Sequence, residues 1–236
     1  MNRIIIVTDL TRFHKPEIVC TAGINEDSGE CIRPMPYLAL SECRRLNVLP
    51  GAKLSGDFTP SPDRTGPHQE DYSYKKLKYL GPSSSSEFKN ALRQGLYGSV
   101  EEGFEVTLKD NQKHIPIGDE VQRSIITVSI SPSEIKIIED SYKPGKIKLN
   151  FRDLSGRKFR YIGITDLGFH KYALQHHSRK ELGKINAMIK AQKEVYLRIG
   201  LSREYQSPYD ERNGYWLQAN GIYTFPDYNK EIRCYN

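Results

Sequence analysis

Two small β-barrels in tandem, mainly strand with minor helix, are what these 236 residues predict. Three observations carry that expectation. Short apolar runs with a period of two recur along the chain, and Gly, Pro, Asn or Asp bounds most of them. One amphipathic helix pattern falls between the third and fourth strands of the second half. The length also suits two compact units, read as residues 1–123 and 124–236.

The first half opens with "RIIIVTD". "EIVCTAGI" and "GECIRPM" flank the turn-rich "NEDSG" and read as a hairpin. "PGAKLSGDF" starts a strand after Pro50-Gly51, and "DYSYKKLKYL" alternates loosely. "GPSSSSEF" reads as a connection into a short helix, with Ser86 as cap ahead of Phe88, Ala91 and Leu92. Residues 59–120 show no clean pattern.

In the second half "IITVSI" is followed by "SEIKII", then by "KIKLNFR" after the Pro144-Gly145 turn, then by "RKFRYIGI". A helix is expected from Ser178, with Glu181 at capping-box spacing and an apolar stripe of Leu182, Ile185, Met188 and Ile189. "VYLRIGL" and "GYWLQANGIYTF" follow as strands. With "IITVSI" and "SEIKII" taken together as the first strand, the order is three strands, a helix and two strands, that of an OB-fold, a five-stranded Greek-key barrel.

Net charge is +6, and it is unevenly placed. Residues 1–123 carry 16 Lys+Arg against 17 Asp+Glu, and residues 124–236 carry 19 against 12. Between 143 and 193 the count is 13 to 3. Such a concentration of one sign favours a polyanionic partner, the alternative being a solvated basic face. No apolar run is long enough for a membrane helix, and the opening run is too short for a signal peptide, so a cytoplasmic protein is expected. Cys20, Cys31, Cys43 and Cys234 have no C-x-x-C pairing and read as free thiols.

In an OB-fold the second and third strands and the loops L12 and L45, which join strands one to two and four to five, form the binding surface. Alternation puts Lys146, Lys148 and Arg152 outward on "KIKLNFR". Lys158 and Arg160 share one face of the next strand, with Phe159 and Tyr161 on the other, where core packing is favoured. On "VYLRIGLSREY" Tyr196 and Arg198 are expected to face out, and Arg203 and Tyr205 lie in the loop beyond; Trp216 follows on the last strand. In the first half Arg33 and Tyr37 flank a Pro-x-Pro kink that gives them a defined exit from the barrel. These twelve residues suit single-stranded DNA or RNA, because cations neutralise phosphates while rings stack on bases.

No G-x-S-x-G, P-loop, H-E-x-x-H or G-x-G-x-x-G signature is present. His68, Glu70 and Asp71 in "PHQEDY" have ligand chemistry without a recognised metal spacing, so no cofactor is expected. Scattered acids such as Glu204, Asp210 and Asp227 leave a metal-dependent nuclease as an alternative. A protein-interaction adaptor is another.

The early "CIRPMP" after "VCTAGIN", the later "VYLRIGLSREY" and the terminal "WLQANGIYTFPDY" resemble the dual OB-containing domain family of prokaryotic proteins. That resemblance implies tandem OB-like barrels, nucleic-acid binding, and an accessory role in conflict or defence systems beside a protein partner. It singles out Arg33, Pro34, Arg198, Gly200, Arg203, Asn220 and Gly221.

Overall fold

A computed structural model describes residues 2–227 and 230–235. The first unit holds β1 (Asn2–Arg12), β2 (Ile18–Asn25), β3 (Cys31–Met35), β4 (Leu38–Ala39), α1 (Leu40–Arg45), β5 (Ala52–Pro60) and β6 (Asp71–Pro82). Strand order β1-β5-β6-β3-β2 closes through a β1–β2 pairing, and β3 lies parallel to β6. This closed five-stranded barrel, with a helix between its third and fourth strands, has the OB-fold connectivity. Ile5, Val7, Leu10, Val19, Ile32, Leu54 and Phe58 fill it.

Then come α2 (Ser85–Arg93), β7 (Leu96–Tyr97), α3 (Val100–Phe104) and β8 (His114–Pro116). Ser84, not Ser86, caps α2, in a capping box with Glu87, so the helix starts one residue after Ser84. From β7 onward this segment joins the second unit. β7 pairs with that unit's first strand and β8 with its last, and Val100, Phe104, Leu108 and Ile115 enter its core.

The second unit comprises β9 (Ile125–Ile130), β10 (Ile135–Glu139), β11 (Ile147–Arg152), β12 (Lys158–Ile164), α4 (Leu167–Ser178), α5 (Leu182–Lys190), β13 (Glu194–Leu201), β14 (Tyr205–Gln206) and β15 (Asn213–Phe225). The 3-10 turn Pro132–Glu134 splits its first strand in two. One half, β9, pairs with β13 and the other, β10, with β11, while β12 lies parallel to β15. The path β10-β11-β12-β15-β13-β9 therefore joins its ends through that turn. The helix expected from Ser178 begins instead at Leu182, as α5, and an additional helix, α4, precedes it. Asp166 caps α4 by accepting from Phe169 N, and α4 ends at Ser178, whose hydroxyl donates to Gln175 O. Lys180 then adopts a positive φ of 60°, which breaks the chain before α5. Among the described residues no helix is long and apolar enough to cross a membrane.

Both sides of β13 are buried. Val195, Leu197 and Ile199 face the second core, and Tyr196 joins Ile6, Ile24, Phe88, Leu92, Tyr223 and Phe225 in a cluster between the units. The outward side of β2 and β3, which is the ligand side of an OB-fold, is thereby covered by the second barrel.

Candidate functional site

On β11 the side chains of Ile147, Leu149 and Phe151 are buried, Lys148 and Asn150 are half-buried, and Arg152 is exposed. Lys146, just before the strand, is exposed as well. On β12 strict alternation fails. Leu149 pairs with Ile162 and Phe151 with Phe159, so Arg160 and Tyr161 together oppose Asn150. This is a β-bulge. Tyr161 adopts φ 57°, and its N–H donates to Asn150 Oδ1 at 2.7 Å. Phe159 and Tyr161 thus do not share a face: Phe159 stacks on Phe151 in the core, and Tyr161 turns out beside exposed Arg160.

Tyr161 belongs to a set of rings and cations on the outward side of β11 and β12 and on the loops beside them, where an OB-fold has its binding groove. The ring of Tyr142, 81% exposed on the loop between β10 and β11 (L12), meets it edge-on at 5.5 Å, and Lys113 Nζ lies 5.9 Å from its centroid. Beside L12 is the loop from β13 to β15 (L45). There Tyr209, 83% exposed, has Lys143 Nζ 5.6 Å from its centroid. Trp216 lies between the stacked His114 ring at 5.0 Å and the Arg212 guanidinium at 4.9 Å, and its indole N–H donates to Tyr205 O at 3.3 Å. Each ring of the groove therefore has a cation beside it or next to its neighbour. At the centre is Gly163, which pairs with Lys148 on one side and Gln218 on the other; a Cβ there would meet nothing within 4 Å.

Electrostatically the groove is unbalanced. Arg152 pairs with Glu134 at 3.1 Å and Arg212 with Asp210 at 2.5 Å. Lys113, Lys143, Lys146, Lys148, Lys158 and Arg160 have no carboxylate in ion-pair contact among the described residues. Burial lowers the pKa of Lys148, as do Lys113, Lys143 and Arg12 nearby, with Asp140 opposing them. An anion in the groove would relieve that repulsion.

Three expected contacts lie elsewhere. Arg198 does not face out: its side chain is 2% exposed, and Nε and Nη2 donate to Asp9 Oδ2 at 3.0 and 2.8 Å. Burial pulls its pKa down and Asp9 more than offsets this, so it stays charged. Tyr196 is 2% exposed and its hydroxyl accepts from Arg93 Nε. Arg33, 4% exposed, donates to Asp71 Oδ1 at 2.5 Å, to Ser124 Oγ at 3.2 Å and to His68 Nδ1 at 3.0 Å. All three are outward on their own barrel, as alternation requires, but outward here means into the other barrel.

Arg203 belongs to the same contact. Its acid is neither Glu204 nor Asp210 from its own loop but Asp71 of the first barrel, at 2.8 Å, and it also donates to the Tyr37 hydroxyl at 3.1 and 3.2 Å. "PHQEDY" completes this interface. Glu70 accepts from Ser124 N, Ser124 Oγ and Ile125 N, where β9 begins, and burial raises its pKa. Among the described residues no three His, Cys, Asp or Glu side chains converge as a metal site. Gly200 has a packing role: a Cβ there would come 2.1 Å from Asn220 Nδ2.

Since arginine only donates, His68 Nδ1 must accept, which puts the proton on Nε2 facing Ser202 O at 3.2 Å. Burial, with Arg33 and Arg203, lowers its pKa from 6.5 to about 3. The unfolded chain therefore takes up this proton near pH 6.5 and the folded chain does not until about 3, so stability falls as pH falls through that window. His170, lowered to about 4 by burial beside Arg12 and Lys146, adds to the trend. The slope from His68 alone is at most about 1.4 kcal/mol per pH unit. Urea unfolding between pH 6.5 and 5 should show a shallower loss in His68→Asn than in the wild-type chain; equal slopes would remove His68 from this account.

Of the residues expected from sequence, Lys146, Lys148, Arg152, Lys158 and Arg160 lie on or beside β11 and β12, and Tyr205 and Trp216 lie on β14 and β15. Tyr142, Lys143, Lys113, His114 and Arg12 are not among those expected. The first two lie in a loop with no alternation to read, and Lys113 and His114 lie in a segment without a clear pattern.

A family model described as dual OB-containing domain matches residues 3–222. A search of curated proteins gives no match. Among solved structures, a murine DNA-binding protein bound with double-stranded DNA aligns over 95% of this chain and 97% of its own, at 6% identity and a TM-score of 0.35. The HINa domain of Ifi202 in complex with double-stranded DNA aligns over 95% and 94%, at 6% identity and 0.36. A replication protein A heterotrimer bound to single-stranded DNA aligns over 98% of this chain and 51% of that one, at 13% identity and 0.37.

Proposed function

The chain belongs to the dual OB-containing domain family, and on that premise we propose that its second barrel holds single-stranded nucleic acid in the groove between the two loops. One observation carries this reading: Tyr142, Tyr161, Tyr209 and Trp216 lie on L12, β12, L45 and β15 in contact with one another or with cations, and the lysines among them have no carboxylate partner among the described residues. Phosphates would neutralise Lys113, Lys143 and Lys148, and bases would stack on the exposed rings. The bare floor at Gly163 leaves room for a base above β12. Every base has a π-face, so stacking of this kind predicts weak sequence preference. The accessory role in a prokaryotic defence system rests on the family resemblance alone.

Tyr142 and Tyr209 are exposed at 81% and 83%, and neither belongs to a core cluster, so removing them tests binding without disturbing the fold. Tyr142→Ala and Tyr209→Ala should each weaken binding of a labelled oligothymidylate about fivefold to a hundredfold, the range expected of one stacked base. Fluorescence anisotropy reads the affinity, with an unchanged melting temperature as the control. Unaltered affinity in both variants would move the site away from this groove.

A further inference from the structure

The first barrel places a further cation and two rings beside the end of β12. Arg12, exposed at the end of β1, has no ion-pair partner among the described residues. Its backbone N–H donates to Thr165 O at 2.9 Å, and Thr11 bridges to Asp166, which pins this end of β1 beside the end of β12. Arg12 is near enough to Lys148 to lower that lysine's pKa, and so reaches the same field as Lys113 and Lys143. The next residue, half-buried Phe13, packs on Tyr37 with centroids 4.7 Å apart. The Tyr37 hydroxyl accepts from Arg203, which lies in the loop that carries Tyr205 and Tyr209. His14 and Lys15 beyond Phe13 are exposed.

The first barrel cannot take a strand on its own ligand side. Arg33 on β3 points into Ser124, its loop between β5 and β6 is tied down through His68 and Glu70, and Ile24 on β2 lies in the cluster between the units. The Arg12–Phe13 corner, with Arg12 exposed, lies beside the end of β12.

We propose that a single strand in the second barrel's groove runs on across Arg12 and the Phe13–Tyr37 rings of the first barrel, so that one strand spans both units and each chain holds one strand. This inference rests on the nucleic-acid reading given above. The ion-paired interface fixes the corner relative to the groove, so the added contacts tighten binding only for a ligand long enough to reach them.

Oligothymidylates of about five and about twenty nucleotides, within and beyond the span of a single-barrel site, separate the possibilities. In Arg12→Glu and in Phe13→Ala the affinity for the long oligomer should fall about tenfold or more, a loss clearly larger than that for the short oligomer. Arg12→Glu alters an exposed side chain and so provides a readout independent of any packing loss at Phe13. Tyr209→Ala should weaken both oligomers. Unchanged long-oligomer affinity in Arg12→Glu, or a stoichiometry of two short strands per chain at saturation, would overturn the spanning strand and leave the groove standing. Failure of the wild-type chain to bind either oligomer would overturn both.

Discussion

Arg198→Met is expected to destabilise the folded chain by about 3–5 kcal/mol, read as a lowered urea midpoint, because it strands a buried carboxylate. Asp9 is 0% exposed, and Oδ2 takes two bonds from Arg198 and one from Thr8 Oγ1, while Oδ1 has no hydrogen-bond partner. With the guanidinium gone, one hydroxyl would serve a full charge inside the contact between the barrels. The double variant Asp9→Leu with Arg198→Met should recover most of the loss, since removing both charges also removes their desolvation. A single Arg198→Met variant within about 1 kcal/mol of wild type would show that the pair does not hold the barrels together. This pair joins β1 of one unit to β13 of the other, so its loss would release the alignment on which the spanning strand depends.

How far the sequence reveals this arrangement depends on what each pattern reports. The period of two in "KIKLNFR" places Lys148 and Asn150 outward, and the order of strands around one helical region identifies the second barrel, since both are properties of a single unit. Alternation also places Tyr196 and Arg198 outward from their barrel. It does not say what covers that side, and here the first barrel does. The same holds for Arg33. Its Pro-x-Pro context fixes a direction but carries no trace of Ser124, some ninety positions later. At Tyr161 the failure is local, because a bulge moves one ring from the inward row to the outward one without a glycine to mark it. Residues 96–121 stay illegible because β7 and β8 are short strands that add to a sheet formed elsewhere in the chain.

Three of the residues that suggested the family, Arg33, Arg198 and Arg203, have their acids at the interface and not in the groove. Their chemistry is that of a lock between barrels. The proposed ligand contacts fall instead on L12, L45 and the segment before β8, and on the outward sides of β11, β12 and β15 beside them.

Reversing the groove's charge has the other large expected effect. Lys113, Lys143 and Lys148 come from three separate stretches, and Lys113 and Lys143 both lower the pKa of Lys148. Changing all three to Glu replaces attraction to phosphate with repulsion at the centre of the trough. The single-strand affinity at low salt should drop at least about a hundredfold. Far-ultraviolet circular dichroism should be unchanged, because none of the three lysines belongs to a core cluster.

The most direct test is the salt dependence of single-stranded DNA binding, measured by anisotropy for the wild-type chain and for this triple variant. If each lysine neutralises one phosphate, the wild-type plot of log affinity against log salt concentration should be linear, with a slope of about −2 or steeper, and the variant should lose about 2 from it. A wild-type chain that does not bind at low salt, or a slope that the three reversals leave unchanged, would contradict the assignment of this groove to nucleic acid.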